Sequence, residues 1–292
     1  MNSLRTSLVL PFLLAGTVSG AIALNSQPAQ ANLTAAQPFS TSIPIFVPPP
    51  EQPSVVNPTP NRAVGENWLA FAQPNASDIE PLNLWATYYF VHQANSASRG
   101  YRLLDMNGRA LGPVLSQRDW CMAAMQGVVQ VPNRQGSLVT YGFAGRGSRQ
   151  QVNCSAYFKS LSKELLTRVG SARFKLTTAP YGYASGRYRA TPFRTIAVDR
   201  TQIPIGSVLY IPAAKGVMVT LPSGEQVMHD GYFYAADVGS AIKGNHIDVF
   251  IGPTTENPFS FVRSRATDTF EAYVVNHPEI EAYLRSLHQL RR

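Results

Sequence analysis

The chain has 292 residues, 45% of them hydrophobic, and carries a formal net charge of +8 although only 14% of its residues are charged. That is room for one large globular domain or two small ones. The basic residues are scattered, with no run longer than Arg291-Arg292, which argues against the concentrated stripe of a nucleic-acid binder. A mild, dispersed positive charge suits an anionic polymer outside the cytoplasm; a basic secreted protein whose charge has no role fits as well.

Residues 1–31 read as an export signal. Arg5 supplies a short basic region, residues 7–16 an apolar core, and Ala29-Gln-Ala31 a small-x-small cleavage site. The apolar run is shorter than the ~20 residues a membrane span requires, and Pro11 interrupts it. No cysteine lies near the cleavage site to take a lipid. The expectation is therefore an exported protein, periplasmic or extracellular, with neither membrane span nor lipid anchor. Residues 32–66 read as a disordered linker: Pro44, Pro48, Pro49, Pro50, Pro53, Pro58 and Pro60 favour extended polyproline geometry over a packed core.

The folded domain is expected over 67–292. Residues 84–91 are aromatic and β-branched and read as a buried strand. Residues 101–109 form a hairpin pattern around Asn107-Gly108. Residues 118–125 suggest a short helix, 127–131 and 137–143 two paired strands, and 160–168 a second short helix or turn. The span from about 92 to 175 thus interrupts a strand pattern that resumes after it, and reads as an insertion. It holds both cysteines, Cys121 and Cys154. In an oxidising compartment an even pair most simply makes one disulfide; a reactive thiol would need a His or Asn motif that neither cysteine has.

From 174 onward the pattern is all-β. Strands are expected at 195–199, 207–211, 232–236, 247–251 and 269–275, with a turn at 203–206 and a hairpin joining 217–221 to 225–229. Short strands at close spacing suggest a small barrel. The tail, 277–291, reads as a helix capped by Asn276, with Ile280, Tyr283, Leu284, Leu287 and Leu290 as the stripe that packs on the barrel.

The chemistry concentrates in 235–250. Asp237 and Asp248 lie eleven positions apart, each in or beside a strand, with Gly239 and Gly244 between them. Glycines there permit a tight crossover, so both carboxyls can reach one mouth of a barrel. Two aspartates that merely cap strand ends are the alternative. His246 and Asp248 are two apart on a strand and share a face. Joined by His229 or Asp237 they are the one candidate zinc set, but no motif of metal-ligand spacing supports it, so no metal and no cofactor is expected. Trp85, Tyr88, Tyr89, Trp120 and Tyr141 are aromatics able to stack on sugars, although most strand aromatics are core. Thr87, Tyr89, Lys243 and His246 are taken as the substrate-binding candidates.

Four segments, Ile196-Ala-Val-Asp199, Ile203-Pro-Ile-Gly206, Ala236-Asp-Val-Gly-Ser-Ala-Ile-Lys-Gly244 and Ile247-Asp-Val-Phe250, together resemble the three-aspartate (3D) domain shared by the membrane-bound lytic murein transglycosylase A family. The resemblance spans about 84–275 and is dense from 195 to 252. It implies a mainly β fold, a six-stranded double-psi β-barrel carrying the disulfide-stapled insertion and the C-terminal helix. It also implies cleavage of the β-1,4 bond between N-acetylmuramic acid and N-acetylglucosamine in peptidoglycan, leaving a 1,6-anhydromuramoyl end. By position, Asp248 resembles the catalytic acid/base, Asp237 its partner and Asp199 a structural aspartate that holds a turn. The strand with Ala86-Thr-Tyr-Tyr89 resembles the family's early barrel strand. Ser240 departs from the family, which usually has glycine there, and the insertion looks smaller than the family's second domain. The expected partner is the peptidoglycan glycan strand, bound by a monomer. A non-catalytic, expansin-like wall-loosening module shares the barrel and an aspartate pair and is the second reading; a purely structural envelope protein is the third.

Overall fold

The computed structural model describes residues 71–186 and 188–290. The expected export segment and linker lie outside the described residues. After a 3-10 turn at Ala76–Asp78, the chain forms β1 (Ile79–Tyr89), β2 (His92–Gln93), β3 (Tyr101–Leu104), β4 (Ala110–Leu115), α1 (Gln117–Gln126), β5 (Val128–Pro132), β6 (Leu138–Arg146), α2 (Lys163–Gly170) and β7 (Ala172–Leu176). Then come β8 (Thr195–Ala197), β9 (Val208–Tyr210), β10 (Met218–Thr220), β11 (Gln226–Met228), β12 (Tyr232–Asp237), β13 (His246–Phe250), β14 (Phe270–Val275) and α3 (Pro278–His288).

Six of these strands close into the expected barrel, in the order β1-β13-β8-β12-β9-β14 and back to β1. β1 joins two ladders. Its first half, from Ile79 to Leu84, runs antiparallel to β14, and its second half, from Trp85 to Tyr89, runs parallel to β13. The strand therefore begins earlier than residues 84–91 suggest. Pro81, which reads as a strand breaker, is tolerated because β13 pairs only with the second half of the strand.

β12 shows why the barrel needs a helix outside it. It is buried on both faces from Tyr232 to Ala236. With a side-chain period of two, Phe233 and Ala235 enter the barrel interior beside Ile196, Leu209, Ile247 and Val249. Tyr232, Tyr234 and Ala236 face outward, where Ile280, Leu284 and Leu287 of α3 cover them. Burying three such aliphatic side chains contributes roughly 1.5–3 kcal/mol each.

The ends of α3 differ from the expected 277–291. Asn276 is not the cap: its N–H donates to the Asp78 carbonyl, and His277 takes the N-cap position without a side-chain cap bond. Pro278 starts the helix, its fixed φ being preorganised for the first turn. At the other end the chain leaves the helix because Gln289 pairs with Tyr188, so Leu290 lies beyond the helix rather than in its stripe.

The insertion, 92–176, is a lobe with its own core. β2, β5, β6 and β7 form one sheet and β3 and β4 a hairpin, around Leu103, Leu115, Trp120, Val129, Tyr141 and Phe174. Ser116 caps α1 by accepting the Asp119 N–H, and Gly127 ends it in the left-handed conformation at φ 77°. Cys121 on α1 is bonded to Cys154, with the two Cα atoms 5.6 Å apart, and both cysteines are fully buried. The bridge closes a loop of 33 residues, worth about 3–4 kcal/mol by the chain-entropy model. Replacing both cysteines by serine is expected to lower stability by about that amount, read as a lower urea midpoint; an unchanged midpoint would mean that the core alone holds the lobe.

Candidate active site

The aspartates are brought together by the strand between them. β12 and β13 are not neighbours: β8 lies between them, parallel to β12 and antiparallel to β13. Ala197 of β8 is the cross-strand partner of Asp237 on one side and of Asp248 on the other. The two aspartates therefore sit two strand spacings apart, roughly 10 Å between Cα atoms, on one face, with only a methyl group between them. The glycine-bearing loop at 238–245 crosses over the end of β8 rather than forming a hairpin.

β1 supplies the partners. Thr87 is in register with Asp248, and its hydroxyl donates to Asp248 Oδ1 at 2.6 Å. The Thr87 hydroxyl oxygen also lies 2.9 Å from His246 Nε2. Two residues on, the Tyr89 hydroxyl donates to Asp237 Oδ2 at 2.9 Å, and the Val238 N–H donates to Asp237 Oδ1 at 2.8 Å. His246 is buried and stacks on Trp85 with ring centroids 3.6 Å apart. The site thus consists of two hydrogen-bonded sets, Thr87 with His246 and Asp248, and Tyr89 with Asp237. Lys243 joins neither: it is exposed, its charge acts on Asp199, and it is absent from the cleft lining.

The surroundings separate the two carboxyls. Burial pushes Asp248 up to about 7; the Thr87 hydrogen bond opposes the shift and the Asp237 charge adds to it. Burial also raises Asp237, to about 6, against the hydrogen bonds from Val238 and Tyr89. Asp237, with two donors including a backbone N–H, is the better anion, and Asp248, with one hydroxyl, is the better acid. Burial and both carboxylates hold the Tyr89 hydroxyl well above its ordinary range, so it stays a donor. Burial lowers His246, which is therefore a neutral ring at pH 7.

Asp199 stands apart from the pair. Its Oδ1 accepts the Thr201 N–H and hydroxyl, and its Oδ2 accepts the Gly244 N–H at 3.0 Å. Gly244 is in the left-handed region at φ 62°, where glycine is favoured. The bonds from Gly244 and then Thr201 pull Asp199 down to about 2. This aspartate tethers the loop that joins the other two. His229 is committed elsewhere, its Nε2 at 2.8 Å from the Phe193 carbonyl and its Nδ1 accepting the Gly231 N–H. Among the described residues, no group of three or more His, Cys, Asp or Glu is placed to hold a metal ion.

Asp237, Asp248 and Ala197 form the floor of a cleft of about 640 Å³. Its other wall comes from the insertion, with Gln126, Phe143, Arg146, Arg168 and Lys175, and from the following connector, with Tyr181 and Tyr183. Leu290 also reaches it. Of the aromatic candidates, Tyr89 lines the cleft, Trp85 backs His246, and Trp120 and Tyr141 are core of the insertion. Tyr88 packs against the barrel core. The wall residues were not singled out in the sequence, where the available signal was the Tyr181-Gly-Tyr183 pattern in a connector.

A carboxyl raised in the folded state keeps its proton where the unfolded chain has lost it, so it stabilises the fold less as pH rises through the folded value. For Asp248 the window runs from the ordinary 3.8 to about 7. Asp248→Asn keeps an acceptor for Thr87 without the buried charge. It is expected to melt higher than the parent at pH 8 and to converge with it below pH about 4, as read by thermal melts across pH; equal melting at pH 8 would place no buried charge at 248.

Comparison with known proteins gives a match to one family model over part of the chain and distant likenesses among solved structures. No curated protein matches the chain in sequence. Among solved structures, Escherichia coli MltA with bound chitohexaose is 16% identical over 66% of this chain and 72% of that one, with a TM-score of 0.46. A membrane-bound lytic murein transglycosylase from Agrobacterium tumefaciens is 14% identical over 73% and 83%, with a TM-score of 0.47. The lytic transglycosylase LtgG of Burkholderia pseudomallei is 17% identical over 68% and 73%, with a TM-score of 0.35. Residues 194–258, which carry Asp199, Asp237 and Asp248, match the family model of the 3D domain, as the motifs of this stretch led us to expect.

Proposed function

We propose that this chain is an exported peptidoglycan lytic transglycosylase in which Asp248 is the single acid/base. The observation that carries the reading is a carboxyl raised to about 7 on the floor of a cleft, beside a second carboxyl better stabilised as an anion. A glycosidase that uses water ordinarily needs both carboxyls to work on the reaction, one as acid and one as base or nucleophile. A transglycosylase needs one, because the nucleophile is a hydroxyl of the substrate.

With a glycan strand in the cleft, protonated Asp248 donates to the oxygen linking N-acetylmuramic acid to N-acetylglucosamine as the bond to muramic C1 breaks. Positive charge develops on the muramic ring, and the Asp237 anion, held by Tyr89 and Val238, stabilises it. The muramic C6 hydroxyl then bonds to C1 and gives its proton to the Asp248 carboxylate. The 1,6-anhydro product forms, Asp248 recovers its proton, and no water is consumed. Thr87 orients Asp248. One chain supplies every group in this scheme, so it works as a monomer.

Incubating the purified protein with peptidoglycan sacculi and weighing the soluble products by mass spectrometry tests this. Anhydromuropeptides are expected, with Asp248→Asn slower by about 10²–10⁴-fold. Products heavier by one water would make the protein a hydrolase, and sacculus binding without products would favour the expansin-like reading. The same assay across pH is expected to show kcat/KM falling above about 7 as Asp248 loses its proton. In Asp237→Asn the like charge is gone, the Asp248 pKa drops, and that limb moves to lower pH; an unmoved limb would separate the two carboxyls functionally.

A further inference from the structure

We propose that the insertion wall of the cleft is a subsite for a carboxylate of the peptide attached to the substrate's muramic acid, gripped by Arg146 and Arg168 with Lys175 alongside; this rests on the transglycosylase reading and names the substrate form it acts on. Three cations line this wall, and the only acidic residues in the lining are the two aspartates of the floor. All three are exposed, and among the described residues none of the three is in a salt bridge.

Two of the cations are also held in place. The Arg146 guanidinium lies over the Phe143 ring at 5.2 Å and donates a long hydrogen bond of 3.4 Å to Ser240 on the barrel side of the cleft. The Lys175 ammonium lies over the Tyr183 ring at 4.9 Å. Burial and then the neighbouring Arg168 charge both lower the Arg146 pKa. Two guanidiniums held close without a counter-anion repel each other, and a bound carboxylate relieves the repulsion while accepting charge-assisted, bidentate bonds.

The substrate supplies such an anion in only one place. The N-acetylated sugars of the glycan are uncharged, and the carboxylates of peptidoglycan sit on the peptide, which begins at the lactyl group of muramic acid. The muramic ring must lie over Asp248 for its C6 hydroxyl to react. Its peptide therefore starts inside the cleft and leaves along a wall, and the cationic wall is the favourable one.

The test compares the parent with Arg146→Gln/Arg168→Gln on intact peptidoglycan and on glycan strands stripped of peptide by an amidase, the lactyl carboxylate so exposed being capped as its methylamide. The double variant is expected to lose roughly tenfold in kcat/KM on intact peptidoglycan, through KM, which is about the worth of one charge-assisted hydrogen bond. On stripped strands it should match the parent within about twofold. Arg146→Lys/Arg168→Lys, which keeps the charge, should regain part of the loss. Equal losses on both substrates, or none on either, would overturn the subsite. Binding of a peptide-bearing anhydro-disaccharide and of its counterpart with a methylamide in place of the peptide, measured by calorimetry on Asp248→Asn, needs no turnover. A preference for the peptide-bearing compound that the arginine changes abolish supports the subsite even if no sacculus is cleaved. Equal binding of the two overturns the subsite, and cleavage of stripped strands would then leave the reaction assignment standing.

Discussion

One small residue sets the geometry of the site. Ala197 lies between Asp237 and Asp248 in the barrel wall, so the spacing of the carboxyls is the spacing of hydrogen-bonded strands, which loops cannot easily alter. A larger side chain there would fill the floor between them. The same wall desolvates both groups, because β12 and β13 are buried almost throughout. The raised pKa of each carboxyl thus follows from burial in the barrel wall, whose outer face at β12 is covered by α3.

The molecule divides its labour between two cores. The acid, its partner and their supporting hydroxyls sit on strands of the barrel, where backbone ladders restrict movement. The cations and exposed rings opposite them sit on a lobe with its own core and disulfide. The opposing surfaces of the cleft are therefore built independently, one held by the barrel ladder and the other by a covalent bridge.

Much of this was legible in the sequence, and the exceptions have physical causes. Thr87 and Tyr89 could be picked out because alternate residues of a strand share a face, and both meet the aspartates. The barrel strands announced themselves through short apolar runs. The start of β1 did not, because Pro81 looks like a breaker until the pairing shows which half of the strand has two neighbours. Asn276 looked like a cap because Glu279 follows three positions on, yet its backbone is engaged by the first turn of the domain, a contact across some two hundred positions. Lys243 sits in the right loop, but that loop is tied toward Asp199. The cationic wall was hidden because Arg146, Arg168 and Lys175 come from separate elements that only the folded lobe assembles.

The Thr87 hydroxyl has one proton and two partners, Asp248 at 2.6 Å and His246 at 2.9 Å. When Asp248 is ionised, Thr87 donates to it and has no proton left for His246. When Asp248 carries its proton, the polarity of the whole chain can reverse, with Asp248 donating to Thr87 and Thr87 to a bare Nε2. The protonation of a buried carboxyl is thus felt at a buried ring stacked against Trp85, through a hydroxyl whose one proton can serve only one of its neighbours at a time.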